Sequence, residues 1–188
     1  MASMPAALIT GASTGLGREL ALLCARDGHN VILVARSEAR LQALGAEIEN
    51  TLKRKVLVIA QDLSAPGAAH TIFETVNQSA FALEVLINNA AFGLLGRFWE
   101  IDAEQQINMI RLNIAALTEL TRLFLPELIR KRSGRIMNVA STAAFQPGPL
   151  MAVYYAFKAY VVSFSEALHN EAREFGHSHV RLPRAYGN

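Results

Sequence analysis

Apolar residues along the chain fall into two alternating kinds of segment. Short runs rich in branched aliphatics occupy residues 6–10, 30–35, 56–61, 85–88 and 134–140. A continuous apolar run of this length predicts a strand buried on both faces. Between these runs, apolar residues recur three and four apart, the spacing of one helix face. Helices are therefore expected over 16–27, 37–52 and 64–79, with Leu41, Leu44, Ile48 and Leu52 as a stripe on the second and Pro66 near the first turn of the third. Asp102 and Gln105 resemble a capping box opening another helix that runs towards Arg132, with a late kink at Pro126. A last helix is expected over about 150–175, closed by Gly176.

Strands that alternate with helices build a parallel sheet through right-handed crossovers. The expected fold is α/β, a Rossmann-type doubly wound sheet with helices on both faces. Its strand order should be 3-2-1-4-5, with at most a stub of strand 6. Such sheets bind ligands at the carboxyl ends of their strands, where the order reverses. That singles out the loops after Thr10, Asn88 and Ala140.

Composition narrows the setting. With 188 residues, 52% of them hydrophobic, residues 1–188 fit one domain with a real core. A net charge of +2 gives no general attraction to nucleic acid or an acidic membrane, so a useful basic residue must act locally. Cys24, the sole cysteine, excludes an internal disulfide and reads as a core thiol. The first five residues carry no secretory signal, and no run of 18 apolar residues follows, so a soluble, cytoplasmic protein is expected.

The loop after the first strand reads Thr10-Gly11-Ala12-Ser13-Thr14-Gly15-Leu16-Gly17 and leads directly into a helix. Glycines permit a tight turn and let backbone amides approach a pyrophosphate at the positive end of that helix. At the end of the second strand, where an acid would hold the ribose of NAD, the chain has Arg36-Ser37. An acid would repel the 2′-phosphate of NADP, whereas a guanidinium pairs with it. NADP(H) is therefore expected rather than NAD(H), with Ser13, Arg36 and Ser37 around the phosphate; a solvated Arg36 beside a Ser37 helix cap is the plainer alternative. Tyr154 and Lys158 lie four apart and share a helix face, where an ammonium favours the tyrosinate form needed for proton exchange. Ser141 follows an apolar strand thirteen residues before Tyr154, and Thr142 beside it offers the same hydroxyl.

The ordered set of Thr10 to Gly17, Asp62-Leu63, Asn88-Asn89-Ala90-Ala91, Asn113, Ser141, and Tyr154 with Lys158 resembles the short-chain dehydrogenases/reductases. The likeness is to their single-domain branch and spans about residues 6–181. It implies that Gly11, Ser13, Thr14, Gly15, Leu16 and Gly17 hold the pyrophosphate end, that Asp62 meets the adenine and Leu63 forms its wall, and that Asn89 and Ala90 line the adenosine ribose. It further implies Tyr154 as proton donor and acceptor, Ser141 rather than Thr142 as the hydrogen-bond donor to the substrate oxygen, Lys158 as partner of Tyr154 and of the nicotinamide ribose, and Asn113 as keeper of a water and proton path to Lys158. Ala91 stands where the family usually has glycine.

The implied activity is hydride transfer between NADP(H) and a small-molecule carbonyl or alcohol, by a homo-oligomer paired through the helices carrying Asn113 and Tyr154. Phe92, Leu94, Leu95, Phe98 and Trp99 are either part of the substrate wall or packing for the next helix. His177 and His179 read as loop residues, and no metal is expected. After Val180-Arg181 the family continues with a substrate-binding segment, whereas this chain has only seven more residues, with Pro183 among them. The second expectation is thus a truncated, catalytically weak form that binds nucleotide or pairs with a full-length relative.

Overall fold

The computed structural model describes residues 4–172 and 179–181. Strands β1 (Met4–Thr10), β2 (Asn30–Ala35), β3 (Val56–Ala60), β4 (Phe81–Asn88), β5 (Arg135–Asn138) and β6 (His179–Arg181) form one parallel sheet in the order β3-β2-β1-β4-β5-β6. The expected 3-2-1-4-5 order is present, and a three-residue β6 lies beside β5. Helices α1 (Gly15–Arg26), α2 (Glu38–Leu52), α3 (Ala68–Gln78), α4 (Ala103–Ile110), α5 (Leu117–Lys131) and α6 (Ala152–Ala172) connect the strands. The order reverses between β1 and β4, which opens a crevice above their carboxyl ends.

The pleat of β1 sends successive side chains to opposite faces, and both faces are covered. Ala6 and Leu8 pack with Ile72 of α3 and Leu120 and Phe124 of α5. Ala7 and Ile9 pack with Leu22 of α1 and Leu41, Leu44 and Ile48 of α2, the predicted stripe. Leu8, Ile9, Ile32 and Leu33 are fully buried, each side chain contributing roughly 1.5–3 kcal/mol. A third cluster of Met109, Leu117, Phe157 and Val161 joins the helices beside the crevice. Cys24 packs against the second cluster, and burial, with Asp27 nearby, pushes its thiol up to about 11. It is therefore protonated and unreactive at neutral pH.

Strand β1 begins two residues early and β5 is shorter than expected, and four further elements depart from the expected boundaries for local reasons. Helix α3 begins at Ala68 rather than at residue 64, because Pro66 and Gly67 form a type II turn: the Ala68 N–H donates to the Ala65 carbonyl at 3.2 Å, and Gly67 has φ +76°. Strand β4 begins at Phe81, four residues early, since a bulge at Glu84 between its two paired stretches interrupts the apolar run. The helix expected from Asp102 to Arg132 contains a π-helical turn, Arg111–Ala116, between α4 and α5. Asp102 does cap it, accepting from the Gln105 N–H at 3.0 Å. Helix α6 starts at Ala152, after a turn in which the Met151 N–H donates to the Gly148 carbonyl and Leu150 has φ +65°. Gly176, His177 and residues 182–188 lie outside the described residues, as does the side chain of His179.

Candidate active site

The residues expected to hold a nucleotide come together at the mouth of the β1–β4 crevice. A cleft of about 450 Å³ is lined by Gly11, Ser13, Thr14, Leu16 and Gly17 from the glycine turn, Arg36 and Ser37 after β2, Asp62 and Leu63 after β3, and Asn89 and Ala90 after β4. Gly15 sits within the same turn. Gly11 and Gly15 have φ of +67° and +54°, a region that strains residues with a Cβ. A Cβ on Gly17 would strike the Gly11 carbonyl, so this glycine lets α1 approach the turn; a Cβ on Gly15 would meet nothing within 4 Å, leaving open space above the backbone.

Asparagine and threonine brace the cradle from below. The Thr10 hydroxyl donates to the Ile87 carbonyl and accepts from the backbone N–H groups of Asn89 at 2.9 Å and Ala90 at 3.0 Å. The Asn89 amide donates back to the Thr10 carbonyl at 2.9 Å. Loops after β1 and β4 are thereby locked together across the reversal of strand order. Asn89 is thus a brace as well as a cleft residue.

These features fit a phosphorylated nucleotide. The side chain of Thr14, the residue capping α1, makes no capping hydrogen bond, and no acid lies in the helix's first turn. Its leading amides therefore offer donors and positive potential to an anion. Ser37 caps α2 without a side-chain hydrogen bond either, so its hydroxyl is available to the cleft. The plainer alternative, a solvated Arg36 beside a Ser37 helix cap, is equally compatible with this placement, since Arg36 is exposed and Ser37 is the capping residue of α2. Arg40, in the first turn of α2, also lines the cleft. Neither arginine is ion-paired among the described residues. The sequence expectations include Arg36 but not Arg40, whose place in the first turn of the helix that follows the β2 end was the available signal. Asp62 accepts from both the amide and the hydroxyl of Ser64, at 2.9 and 2.7 Å. Burial opposes its charge, but these bonds and the Arg36 guanidinium hold the carboxyl below its ordinary range.

The catalytic candidates gather at the other end of the loops after β4 and β5. Lys158 is 4% exposed; its Nζ donates to the Val139 carbonyl at 2.7 Å and lies 5.9 Å from the Tyr154 ring centroid and 5.2 Å from that of Phe157. Burial lowers this amine to about 8, which leaves it mostly cationic at neutral pH. The Tyr154 ring meets Phe157 edge-on at 5.0 Å and Tyr155 at 6.0 Å. Gly93 backs the same ring, since a Cβ there would stand 2.7 Å from Tyr154 Cδ2. This glycine went unnoticed in the sequence because its need arises only from a helix 61 residues away. Tyr155, besides its edge contact with Tyr154, lies against Gly148.

Ser141 opens a single 3₁₀ turn, Thr142–Phe145, and its Oγ accepts from the Ala143 N–H at 3.2 Å. Among the described residues nothing takes its hydroxyl proton, so that proton remains free to donate. Asn113, 2% exposed in the π-helical turn, uses both ends of its amide on one residue: Oδ1 accepts from the Phe92 N–H at 3.2 Å and Nδ2 donates to the Phe92 carbonyl at 2.8 Å. Its side chain clamps the loop that carries Gly93, an action that its expected part in a path to Lys158 did not include.

The apolar run after β4 divides. Leu94 packs into the third cluster, whereas Leu95, Phe98 and Trp99 are 75%, 59% and 77% exposed. Of these, Phe98 still lines a small gap together with Gln106 and Met109 of α4. Among the described residues no three His, Cys, Asp or Glu side chains gather as a metal site, and no helix is long and apolar enough to cross a membrane.

Fold and site together define a nucleotide-binding α/β domain with a tyrosine–lysine pair at the mouth of its sheet. The family model for short chain dehydrogenases matches residues 5–182, and the chain belongs to the short-chain dehydrogenase/reductase family. It is 35% identical over 177 residues to 17-beta-hydroxysteroid dehydrogenase type 3 of Mus musculus, covering 90% of this chain and 56% of that protein. It is 33% identical over 172 residues to very-long-chain 3-oxoacyl-CoA reductase of Laccaria bicolor, covering 89% and 50%. The chain thus spans about half the length of the curated relatives it matches. A short-chain dehydrogenase from Sphingobium yanoikuyae, solved in complex with NADPH, superimposes with a TM-score of 0.89 at 35% identity, covering 95% of this chain and 70% of that one.

Proposed function

We propose that the chain provides the cofactor-binding and catalytic part of an NADP(H)-dependent oxidoreductase acting on the carbonyl or alcohol group of an apolar small molecule. The observation that carries this reading is the buried Lys158 ammonium held beside the Tyr154 ring, at the end of the loops that line the nucleotide cleft. Arg36 and Arg40, unpaired beside Ser13 and Ser37, support a 2′-phosphate and hence NADP(H) over NAD(H). The NADPH complex of the Sphingobium relative is consistent with that choice.

A bound nicotinamide supplies the hydride, or takes it in the reverse direction. The residues do the rest. The Tyr154 hydroxyl gives a proton to the carbonyl oxygen as negative charge grows there, and Ser141 donates a hydrogen bond to the same oxygen. The Lys158 ammonium, in a low-dielectric setting, stabilises the tyrosinate left behind. Asn113 holds the peptides on either side of Phe92, and with them the Gly93 backing of the tyrosine ring. Exposed Leu95, Phe98, Trp99, Phe145 and Leu150 supply apolar surface for the substrate body. The steroid and acyl names of the relatives suit such a surface.

Consumption of NADPH with a panel of apolar ketones tests the reading, and loss of that consumption in Tyr154→Phe with nucleotide binding kept is the expected result. Turnover retained by Tyr154→Phe would sink the assignment. The fully lined nucleotide cleft also supports a second reading, nucleotide binding without turnover, which the same panel detects as tight NADPH binding and no consumption. Pairing with a second copy through the helices carrying Asn113 and Tyr154 is also proposed. Ile107 and Ile110, 43% and 37% exposed on α4, support it, and the solution mass of the chain tests it.

A further inference from the structure

A line of buried polar side chains crosses the sheet behind the tyrosine–lysine pair. Asn88 at the end of β4 donates to the Thr121 hydroxyl of α5 at 3.1 Å and to Asn138 Oδ1 of β5 at 2.9 Å. Asn138 in turn donates to the Ser165 hydroxyl of α6 at 2.9 Å, and Ser165 donates to the Val161 carbonyl at 2.6 Å. All four side chains are at least nine-tenths buried: Thr121 is 1% exposed, Asn88 5%, Asn138 0% and Ser165 1%. Burying such groups is unfavourable without partners, and an apolar pair of the same shape would fill the space without that demand.

Their placement relative to Lys158 gives them a use. Asn138 directly precedes Val139, whose carbonyl receives the Lys158 ammonium. Ser165 lies seven residues beyond Lys158 on α6, two turns along the same face. Helix α6 is therefore fastened at two points of one face to two consecutive residues of one strand end. Asn88 and Asn138 are register partners in the sheet, and the Val139 N–H donates to the Asn88 carbonyl at 3.0 Å, so strand β4 fixes the strand end in turn.

We propose that Asn138 and Ser165 are positioning residues: their hydrogen bond sets α6 against the end of β5 so that the Lys158 ammonium seats on the Val139 carbonyl beside Tyr154. The catalytic consequence rests on the reading of Tyr154 and Lys158 given above; the seating of Lys158 does not. Ser165→Ala removes the fastening, and Ser165→Thr keeps its oxygen.

The experiment compares the full chain with both variants by three readouts. In Ser165→Ala, turnover per bound nucleotide should fall about tenfold, and NADPH affinity should fall at least fivefold while adenosine 2′,5′-bisphosphate, which lacks the nicotinamide half, binds within twofold of the parent at the same stoichiometry. Ser165→Thr should restore both. The third readout is the ¹⁵N resonance of Lys158 Nζ, identified by its loss in Lys158→Met; its titration midpoint should rise in Ser165→Ala as the amine leaves its buried seat. A role in packing alone predicts equal loss of both nucleotides and an unmoved Lys158 resonance, and would overturn the proposal. If the parent consumes no NADPH with any carbonyl, the functional reading fails, and the Lys158 resonance still decides the seating.

Discussion

The two ends of the site are built by different means. At the nucleotide end, Gly11, Ser13, Thr14, Leu16 and Gly17 come from one short stretch, and backbone amides and bare Cα atoms do most of the shaping. At the catalytic end, Asn113, Ser141, Tyr154 and Lys158 come from a π-helical turn, a 3₁₀ turn and a helix, and side chains do the shaping. The left-handed positions show the same contrast. In the nucleotide turn they are Gly11 and Gly15, while the turn into the catalytic helix uses Leu150. A pyrophosphate is recognised by any chain that presents free amides at the correct curvature, so local sequence suffices. A proton-transfer pair needs burial and a specific neighbour, which only the tertiary fold provides.

The largest expected effect tests whether chemistry resides at one end only. Tyr154→Phe removes the proposed proton donor and leaves the ring contacts with Phe157 and Gly93 in place. Turnover should fall by about 10²–10⁴-fold, the usual worth of general acid catalysis. Binding of adenosine 2′,5′-bisphosphate should be unchanged. A comparable fall in bisphosphate affinity would show that the two ends are not separable.

Lys158 should reveal a stability cost confined to the catalytic end. Its amine titrates near 8 when folded and near 10.5 when free, so the unfolded chain binds more protons between those values. Stability therefore rises with pH through that window, and below pH 8 the full cost of burying the ammonium is present. Lys158→Met should abolish turnover yet stabilise the chain at pH 7 by about 2–3 kcal/mol. Urea denaturation of parent and variant at pH 7 and pH 10 checks this, the advantage of the variant shrinking at the higher pH. Destabilisation at both values would contradict it.

At the nucleotide end the corresponding charge test concerns preference rather than rate. Arg36→Asp places an acid beside Asp62 and removes one guanidinium from the cleft. Losing a charge-assisted contact of roughly 1.5–3 kcal/mol corresponds to about a 10–100-fold weaker NADPH, with NADH little affected. Arg40→Ala should give a smaller change of the same sign. Equal losses for NADPH and NADH would place both arginines outside the phosphate site.

The same contrast explains what the sequence could disclose. Strand order, the buried stripe of α2 and the glycine turn follow from patterns within about 20 residues, and all are found. So are the cleft positions of Arg36, Asp62, Leu63, Asn89 and Ala90, which follow from lying at strand ends. The π-helical turn around Asn113 was hidden because its apolar spacing continues that of α4. The early start of β4 was hidden by the Glu84 bulge, which breaks the apolar pattern. Gly93, Arg40 and the Asn138–Ser165 pair have their meaning only through residues that the fold brings near.

The smallest effect concerns backbone strain and sharpens the contrast most closely. Gly15→Ala puts a Cβ on a residue with φ +54°, which costs roughly 1–2 kcal/mol even though the space around it is open. Leu150 already bears that cost, its carbonyl tied to the Gly96 N–H at 2.9 Å and its side chain half-exposed. Leu150→Gly relieves the strain but gives up the buried half of an apolar side chain, worth about 1 kcal/mol. The two contributions oppose each other, so its midpoint in urea should stay within about 1 kcal/mol of the parent while that of Gly15→Ala falls. If Leu150→Gly were clearly more stable, the leucine would be retained for something other than packing, and KM for apolar ketones would be expected to rise in the same variant. If Gly15→Ala were neutral, the nucleotide turn would not depend on its glycines for conformation, and their role would reduce to leaving room for the phosphate.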